Sequence, residues 1–333
     1  NMQEVIFLQS LDNDIKSGKF KRVYLIYGEE SFLVKEYENK LKESIIPAGA
    51  ETMNLSVFDG KGFSGKEISE AIDTMPFFSE YRLVIVRDSG LFTTGRKDDT
   101  DLLAEYVKSI PDTSVLVFCN EKVDKRNALY KAVKKNGYVC EINMLKEKEL
   151  TNWVIKLSGN KISASDSEYF IKNIGVSMVA LKEEMIKLLN YTGDKKITRE
   201  DIDIACTKSV ESNIFDMVGA IGGKNTELAL DIYGNLLNMK ESPLGILKMI
   251  ARQFKMILEC KYLLRKKYTK QQIAYELGLR EFIVAGCINQ SRNFTLGSLM
   301  KAIEDCAKCD IDIKRGLIQD KLGVEIIILK YAK

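Results

Sequence analysis

The sequence predicts an α/β N-terminal domain followed by two all-α domains, and three observations lead there. Apolar strand-like runs alternate with amphipathic helical patterns up to about Asn143. Beyond that point the strand pattern stops and apolar residues recur only at helical spacing. The chain has 333 residues, enough for two or three domains, with 29% charged and 45% hydrophobic residues and 4 prolines. The domain boundaries read as 1–143, 144–210 and 211–333.

Val5 to Ser17 reads as an opening helix. Val23-Tyr24-Leu25-Ile26-Tyr27, after Arg22, is a buried strand run, followed by Gly28 and a helix from Ser31 to Ser44. Met53 to Phe58 is the second strand and Arg82 to Arg87 the third. Asp101 to Ser109 is helical, Ser114 to Cys119 the fourth strand, Ala128 to Lys135 a helix, and Tyr138 to Ile142 the fifth strand. Alternating strands and helices imply a five-stranded parallel sheet covered on both faces.

Lys146 to Leu157, Ser165 to Asn173 and Val176 to Leu189 read as helices, with Ser165-Asp166-Ser167-Glu168 as a capping box. Thr198 caps a further helix to about Thr207. From Ser212 the pattern is wholly helical. Ile214 to Ile221 stops at Gly222-Gly223, and Thr226 to Met239 follows. Ser242-Pro243 opens a long helix to about Lys267, with Leu247, Ile250, Phe254, Ile257 and Leu258 as its apolar stripe. Thr269, Arg280 and Thr295 open three more, and Val324 to Leu329 belongs to a buried helix at the end.

The stretch Thr74 to Val86 changes character three times. A helix with a capping box at Ser64-Gly65-Lys66-Glu67 carries Ile68, Ile72 and Met75 on one face and stops at Pro76, which lacks an N–H. Phe77 and Phe78 follow, and then a strand begins. Adjacent side chains diverge by about 100° or 180°, so the two rings do not share one small core. Either one Phe packs under the sheet while the other covers a loop, or Pro76, Phe77 and Phe78 form an apolar plug for a partner's pocket. In the second case Phe77 is the ring expected to reach the partner.

Several chemistries are excluded. The chain has no histidine, which removes a Ser-His-Asp triad, a Cys-His pair and any His-ligated metal. Seven scattered cysteines fit reduced thiols in a cytoplasmic protein. Cys306-Ala307-Lys308-Cys309 lies in a helical pattern without a second pair at zinc-finger spacing. No apolar run approaches the ~20 residues of a membrane span, and no signal segment opens the chain. Asn1, ahead of Met2, reads as a leftover of expression. From Glu211 to Lys333 there are 19 Lys+Arg against 14 Asp+Glu, a mild +5 that permits a contact with nucleic acid.

The turn after the first strand is where a nucleotide-binding domain holds phosphate, and here it reads Gly28-Glu29-Glu30-Ser31. A phosphate loop needs G-x-x-x-x-G-K-[ST]; only Gly28 remains, and two glutamates stand where phosphate would sit. The third strand ends in Arg87-Asp88-Ser89 rather than in paired carboxylates for Mg²⁺. Thr269 to Asn289 has the outline of a helix-turn-helix, but its second helix is mostly apolar and reads as a tight corner. Arg265-Lys266-Lys267 with Lys270 reads as a solvated helix end, and Lys314-Arg315 near another helix end is suited to a phosphate backbone.

Taken in order, these pieces match a family. Val23 to Glu30, Pro76-Phe77-Phe78-Ser79 with the strand after it, Ser114 to Phe118 with Asp124-Lys125-Arg126, Asn213-Ile214-Phe215-Asp216, Leu247 to Phe254, Ile273-Ala274 and Asp310 to Lys314 carry the resemblance. The sequence closely resembles the delta subunit of the bacterial DNA polymerase III clamp loader over nearly its whole length. The resemblance implies an AAA+-like α/β domain without a functional Walker A, a helical lid domain, and a helical collar that joins gamma/tau and delta-prime subunits in a heteropentamer. It implies no catalysis and no ATP or other cofactor in this subunit; in the family gamma/tau hydrolyse ATP, in agreement with the degraded phosphate turn here. It implies that Pro76, Phe77 and Phe78 enter a pocket of the sliding clamp (beta) and disfavour its closed ring, for loading onto primed DNA. Lys314 and Arg315 are the candidate DNA phosphate contacts. Where some relatives carry an aromatic DNA-contacting residue just after Lys314, this chain has Gly316-Leu317. The rival readings are a nucleotide hydrolase of the same fold and a helix-turn-helix DNA-binding regulator.

Overall fold

A computed structural model describes residues 2–333, with side chains from Ser10 onward; Asn1 and its reading as a leftover lie outside the described residues. The chain divides into two compact units, residues 1–145 and 146–333, each described by itself.

In the first unit the order is α1 (Met2–Ser17), β1 (Val23–Tyr27), α2 (Ser31–Ile45), α3 (Glu51–Asn54), β2 (Leu55–Asp59), α4 (Gly65–Asp73), β3 (Arg82–Arg87), α5 (Lys97–Tyr106), β4 (Ser114–Asn120), α6 (Ala128–Asn136) and β5 (Tyr138–Glu141). The strands form one sheet in the order β2-β3-β4-β1-β5, every neighbouring pair parallel. Leu25 stands beside Phe118, Val84 beside Leu116, and Val57 beside Ile85. β1 and β4 are buried at every residue, as strands covered on both faces must be. One face packs Leu25, Val84, Leu116 and Phe118 against Ile68 and Ile72 of α4, Leu103 of α5 and Leu129 of α6. α2 contacts β1, β3 and β4, burying Leu33, Val34 and Leu41. β2 is a sheet edge and stays partly exposed.

Among the boundaries that differ from the sequence reading are two in the first unit, one at the edge strand β2 and one at the first turn of α5. Met53 and Asn54, expected in the second strand, lie in the short helix α3 instead. α5 begins four residues earlier than expected, at Lys97, where Asp98 and Asp99 in the first turn complement the helix dipole.

The second unit is helical: α7 (Glu147–Leu157), α8 (Ala164–Ile174), α9 (Met178–Thr192), α10 (Arg199–Ala205), α11 (Val210–Gly222), α12 (Thr226–Asn238), α13 (Pro243–Arg265), α14 (Lys270–Leu277), α15 (Glu281–Ser291), α16 (Leu296–Lys314) and α17 (Asp320–Tyr331). The cap expected at Ser165 falls at Ser163, whose hydroxyl accepts from the Asp166 N–H at 3.1 Å. Ser163 stands three residues before Asp166 just as Ser165 does before Glu168, and Asp166 is also tied to Arg199 on α10 at 3.0 Å, which favours the earlier start. α13 is the central rod: Ile246, Ile250, Phe254 and Ile257 are buried against Leu299 and Cys306 of α16 and Val324 and Ile328 of α17. That burial holds the β-branched α17 in a helix against its weak intrinsic preference.

Candidate functional site

The segment between α4 and β3 is built on a fixed base. At the start of α4, Ser64 and Glu67 satisfy each other's N–H groups, at 3.2 and 2.7 Å, and the Gly65 N–H donates to Asp99 at 2.7 Å. These bonds hold the Glu67 and Asp99 carboxyls below the usual carboxylate range. At the other end, the carbonyls of Ala71 and Ile72 would lack helix partners. They accept instead from the Arg82 guanidinium and, at 2.7 Å, from the Ser114 hydroxyl. The helix therefore stops at Asp73, two residues short of Met75. Met75, expected on the buried face, is 74% exposed.

Past Pro76 the two aromatic rings both face outward. Phe77 is 53% exposed and Phe78 91%, with the rings edge to face at 4.5 Å. The expectation that one ring packs beneath the sheet is not met, and Phe78 stands further out than Phe77. Phe78 has φ 48°, a left-handed backbone that costs a bulky residue roughly 1–2 kcal/mol. Such a conformation persists only where its surroundings enforce it. Two buried polar side chains bond the residues around it. Asn54, fully buried, binds both the N–H and the C=O of Phe77. Arg82, also buried, donates to the Met53 carbonyl and the Ser56 hydroxyl, both at 2.8 Å, in addition to Ala71. The sequence reading overlooked Asn54 and Arg82. The available signal was an arginine opening an otherwise apolar strand.

The turn after β1 is tied to the backbone beside it. The N–H groups of Gly28, Glu30 and Ser31 donate to Asn120 O, Ile142 O and Glu29 O at 3.1, 3.2 and 3.1 Å. Gly28 has φ 144°, and a Cβ on it would lie 2.0 Å from the Ile142 carbonyl oxygen. Close packing of the strand ends thus accounts for this glycine. At the end of β3, Arg87 binds Glu38, which is buried on α2, and reaches Asp59 at 3.5 Å. Glu38 holds the guanidinium firmly charged, above its ordinary range.

The remaining candidates are dispersed in the second unit. Lys314, the last residue of α16, is paired with Asp310 one turn back; Arg315 caps that helix and is exposed, as is Leu317 after Gly316. The corner of α14 and α15 turns at Gly278, φ 62°. α15 is fastened inward: Gln290 donates to the Phe215 carbonyl at 2.7 Å and accepts from Gln253 at 2.8 Å. Its buried face and the Lys270–Glu281 ion pair at 3.3 Å suit a structural corner. Cys306 and Cys309 are buried in α16, and no group of three or more potential metal ligands exists among the described residues.

Comparison with known proteins adds the lineage. The family model described as DNA polymerase III, delta subunit matches residues 24–143, and the model of its C-terminal domain matches residues 211–331. DNA polymerase III subunit delta of Bacillus subtilis (strain 168) is 30% identical over 331 residues, covering 96% of this chain and 95% of the relative. A probable DNA polymerase III subunit delta of Aquifex aeolicus (strain VF5) is 26% identical over 244 residues, covering 69% and 68%. The solved structure of the Bacillus subtilis DNA clamp loader delta protein superposes with a TM-score of 0.76 at 29% identity, covering 97% of this chain and 98% of that one. With both family models and a full-length relative in agreement, this chain belongs to the DNA polymerase III delta subunit family.

Proposed function

We propose that this delta subunit binds the sliding clamp (beta) through Pro76, Phe77 and Phe78 and helps open the ring for loading onto primed DNA. One observation carries the reading: two adjacent phenylalanines are held outward on a base of buried polar contacts. Exposing both rings costs hydrophobic free energy that burial in a partner pocket returns, and rigid aromatic anchors are the usual centre of a binding hot spot. Because the base is fixed, the plug transmits force from the sheet into the clamp instead of bending away.

In this proposal the subunit is non-catalytic and takes no ATP. The N–H groups of Gly28, Glu30 and Ser31 are spent on backbone carbonyls, and Arg87 with Glu38 stands where a metal-binding carboxylate pair is needed. Residues 144–210 act as the lid and 211–333 as the collar that meets gamma/tau and delta-prime in a cytoplasmic heteropentamer. Lys314 and Arg315 are proposed to meet DNA phosphates without reading sequence. The test is gel filtration of the full chain with the clamp of the same organism. Co-elution is expected, with loss of co-elution in Phe77→Ala/Phe78→Ala. A folded double variant that still binds would remove the reading.

A further inference from the structure

We infer that Asn54 is the positioning residue of the Phe77–Phe78 plug, its carboxamide fixing the Phe77 peptide so that both rings stand outward before a partner arrives. The inference rests on the clamp-binding reading above. Asparagine is mostly a surface residue, yet Asn54 is fully buried. Its Oδ1 accepts from the Phe77 N–H at 2.6 Å, and its Nδ2 donates to the Phe77 carbonyl at 2.9 Å and to the Ala50 carbonyl at 3.2 Å. One side chain thus pairs both polar groups of a single residue, as the opposite residue of an antiparallel ladder would. It does so across 23 positions of sequence.

The anchor itself does not move freely. Asn54 ends α3, and the next residue, Leu55, opens β2 in register with Leu83 of β3. The plug is therefore fastened to the sheet edge through one carboxamide. Phe77 is clamped at both its N–H and its C=O, and the next residue, Phe78, leaves it with a left-handed φ of 48°. Without the clamp, Phe78 would relax to an ordinary backbone and the two rings would turn toward nearby apolar surface. The binding-competent fraction would fall, and apparent affinity falls by the same fraction.

The chemistry required is specific. A leucine offers neither bond, and an ionised aspartate keeps the acceptor but turns a negative oxygen toward the Phe77 and Ala50 carbonyls. A neutral aspartic acid is nearly isosteric with the carboxamide and can both accept and donate. Asn54→Asp should therefore behave as a pH-dependent imitation of the native residue.

The test uses the full chain and the clamp of the same organism. Affinities of wild type, Asn54→Ala, Asn54→Asp and Phe77→Ala/Phe78→Ala are measured by biolayer interferometry, with amide hydrogen exchange at Phe77 read in parallel. Asn54→Ala is expected to weaken clamp binding at least tenfold and to accelerate exchange of the Phe77 amide. Asn54→Asp is expected to be weak at pH 8 and to recover toward wild type at pH 5, expressed as a ratio to wild type at each pH. If wild type binds, the double Phe variant does not, and Asn54→Ala binds as wild type does, the positioning role is wrong while the function stands. If wild type and the double Phe variant behave alike, the function fails and takes this role with it. Should Asn54→Ala unfold, Asn54→Asp at pH 8 decides: weak clamp binding with faster exchange of the Phe77 amide supports the role, and binding equal to wild type overturns it.

Discussion

Arg87 at the end of β3 donates through Nε to both carboxylate oxygens of Glu38 on α2, at 3.2 and 3.0 Å, with Glu38 only 3% exposed. The pair ties the sheet to the helix that follows the phosphate-type turn. Breaking a buried pair leaves one charge without compensation, which typically costs about 3–5 kcal/mol. Arg87 is partly exposed, so Arg87→Met should cost about 3 kcal/mol in chemical denaturation, and Glu38→Met with Arg87→Met together should cost less than Arg87→Met alone. Equal stability of Arg87→Met and wild type would show that the pair contributes nothing.

Truncating the exposed rings should separate binding from folding. Phe77→Ala/Phe78→Ala removes little buried packing, so its melting temperature should stay within a few degrees of wild type. Binding anchors typically cost about 2–4 kcal/mol each on truncation, and each 1.4 kcal/mol is about tenfold in affinity. Clamp retention should disappear in the double variant. Among the single variants, Phe78→Ala should lose more than Phe77→Ala, because its ring stands further out. Calorimetric melting and gel filtration check both halves, and a double variant that unfolds would place the rings in the core after all.

Gly28 should be intolerant of substitution for a reason unrelated to nucleotide. A Cβ there meets the Ile142 carbonyl at 2.0 Å, and φ 144° is strained for any L side chain. Gly28→Ala is expected to destabilise the chain by about 2 kcal/mol or more. Titration of wild type with ATP–Mg²⁺ in a calorimeter is expected to give no saturable heat. Micromolar ATP binding would reinstate the nucleotide reading of this turn.

Acid should weaken the start of α4. Glu67 is lowered first by the Ser64 N–H and Asp99 first by the Gly65 N–H, so both folded carboxyls sit below their ordinary 4.5 and 3.8. A depressed folded pKa contributes stability above the unfolded pKa and loses it as pH falls through the folded value. The urea midpoint should therefore fall as pH is taken from 6 to 3. Glu67→Gln/Asp99→Asn should start lower at pH 6 and fall less. A parallel pH profile in wild type and variant would remove these two groups as the cause.

Periodicity is local, so the sequence by itself determined the alternation of strands and helices, the parallel sheet and the helical remainder. Side chains at intervals of two or of 3.6 residues report which face is buried whatever they pack against. The same holds for the caps at Ser64, Thr198, Ser242 and Thr269, where both partners lie within three residues. Pro76 and the paired phenylalanines marked the candidate site for a related reason: one lacks an N–H, and adjacent rings diverge. The tertiary structure alone decided how that site is held. α4 ends at Asp73 because Arg82 and Ser114, distant in sequence, take its last carbonyls. Both rings face outward because Asn54, placed beside Phe77 by β2 pairing with β3, satisfies that peptide from beneath. Hydrogen bonds between residues far apart in the chain leave no periodic trace, since each depends on which strands lie side by side.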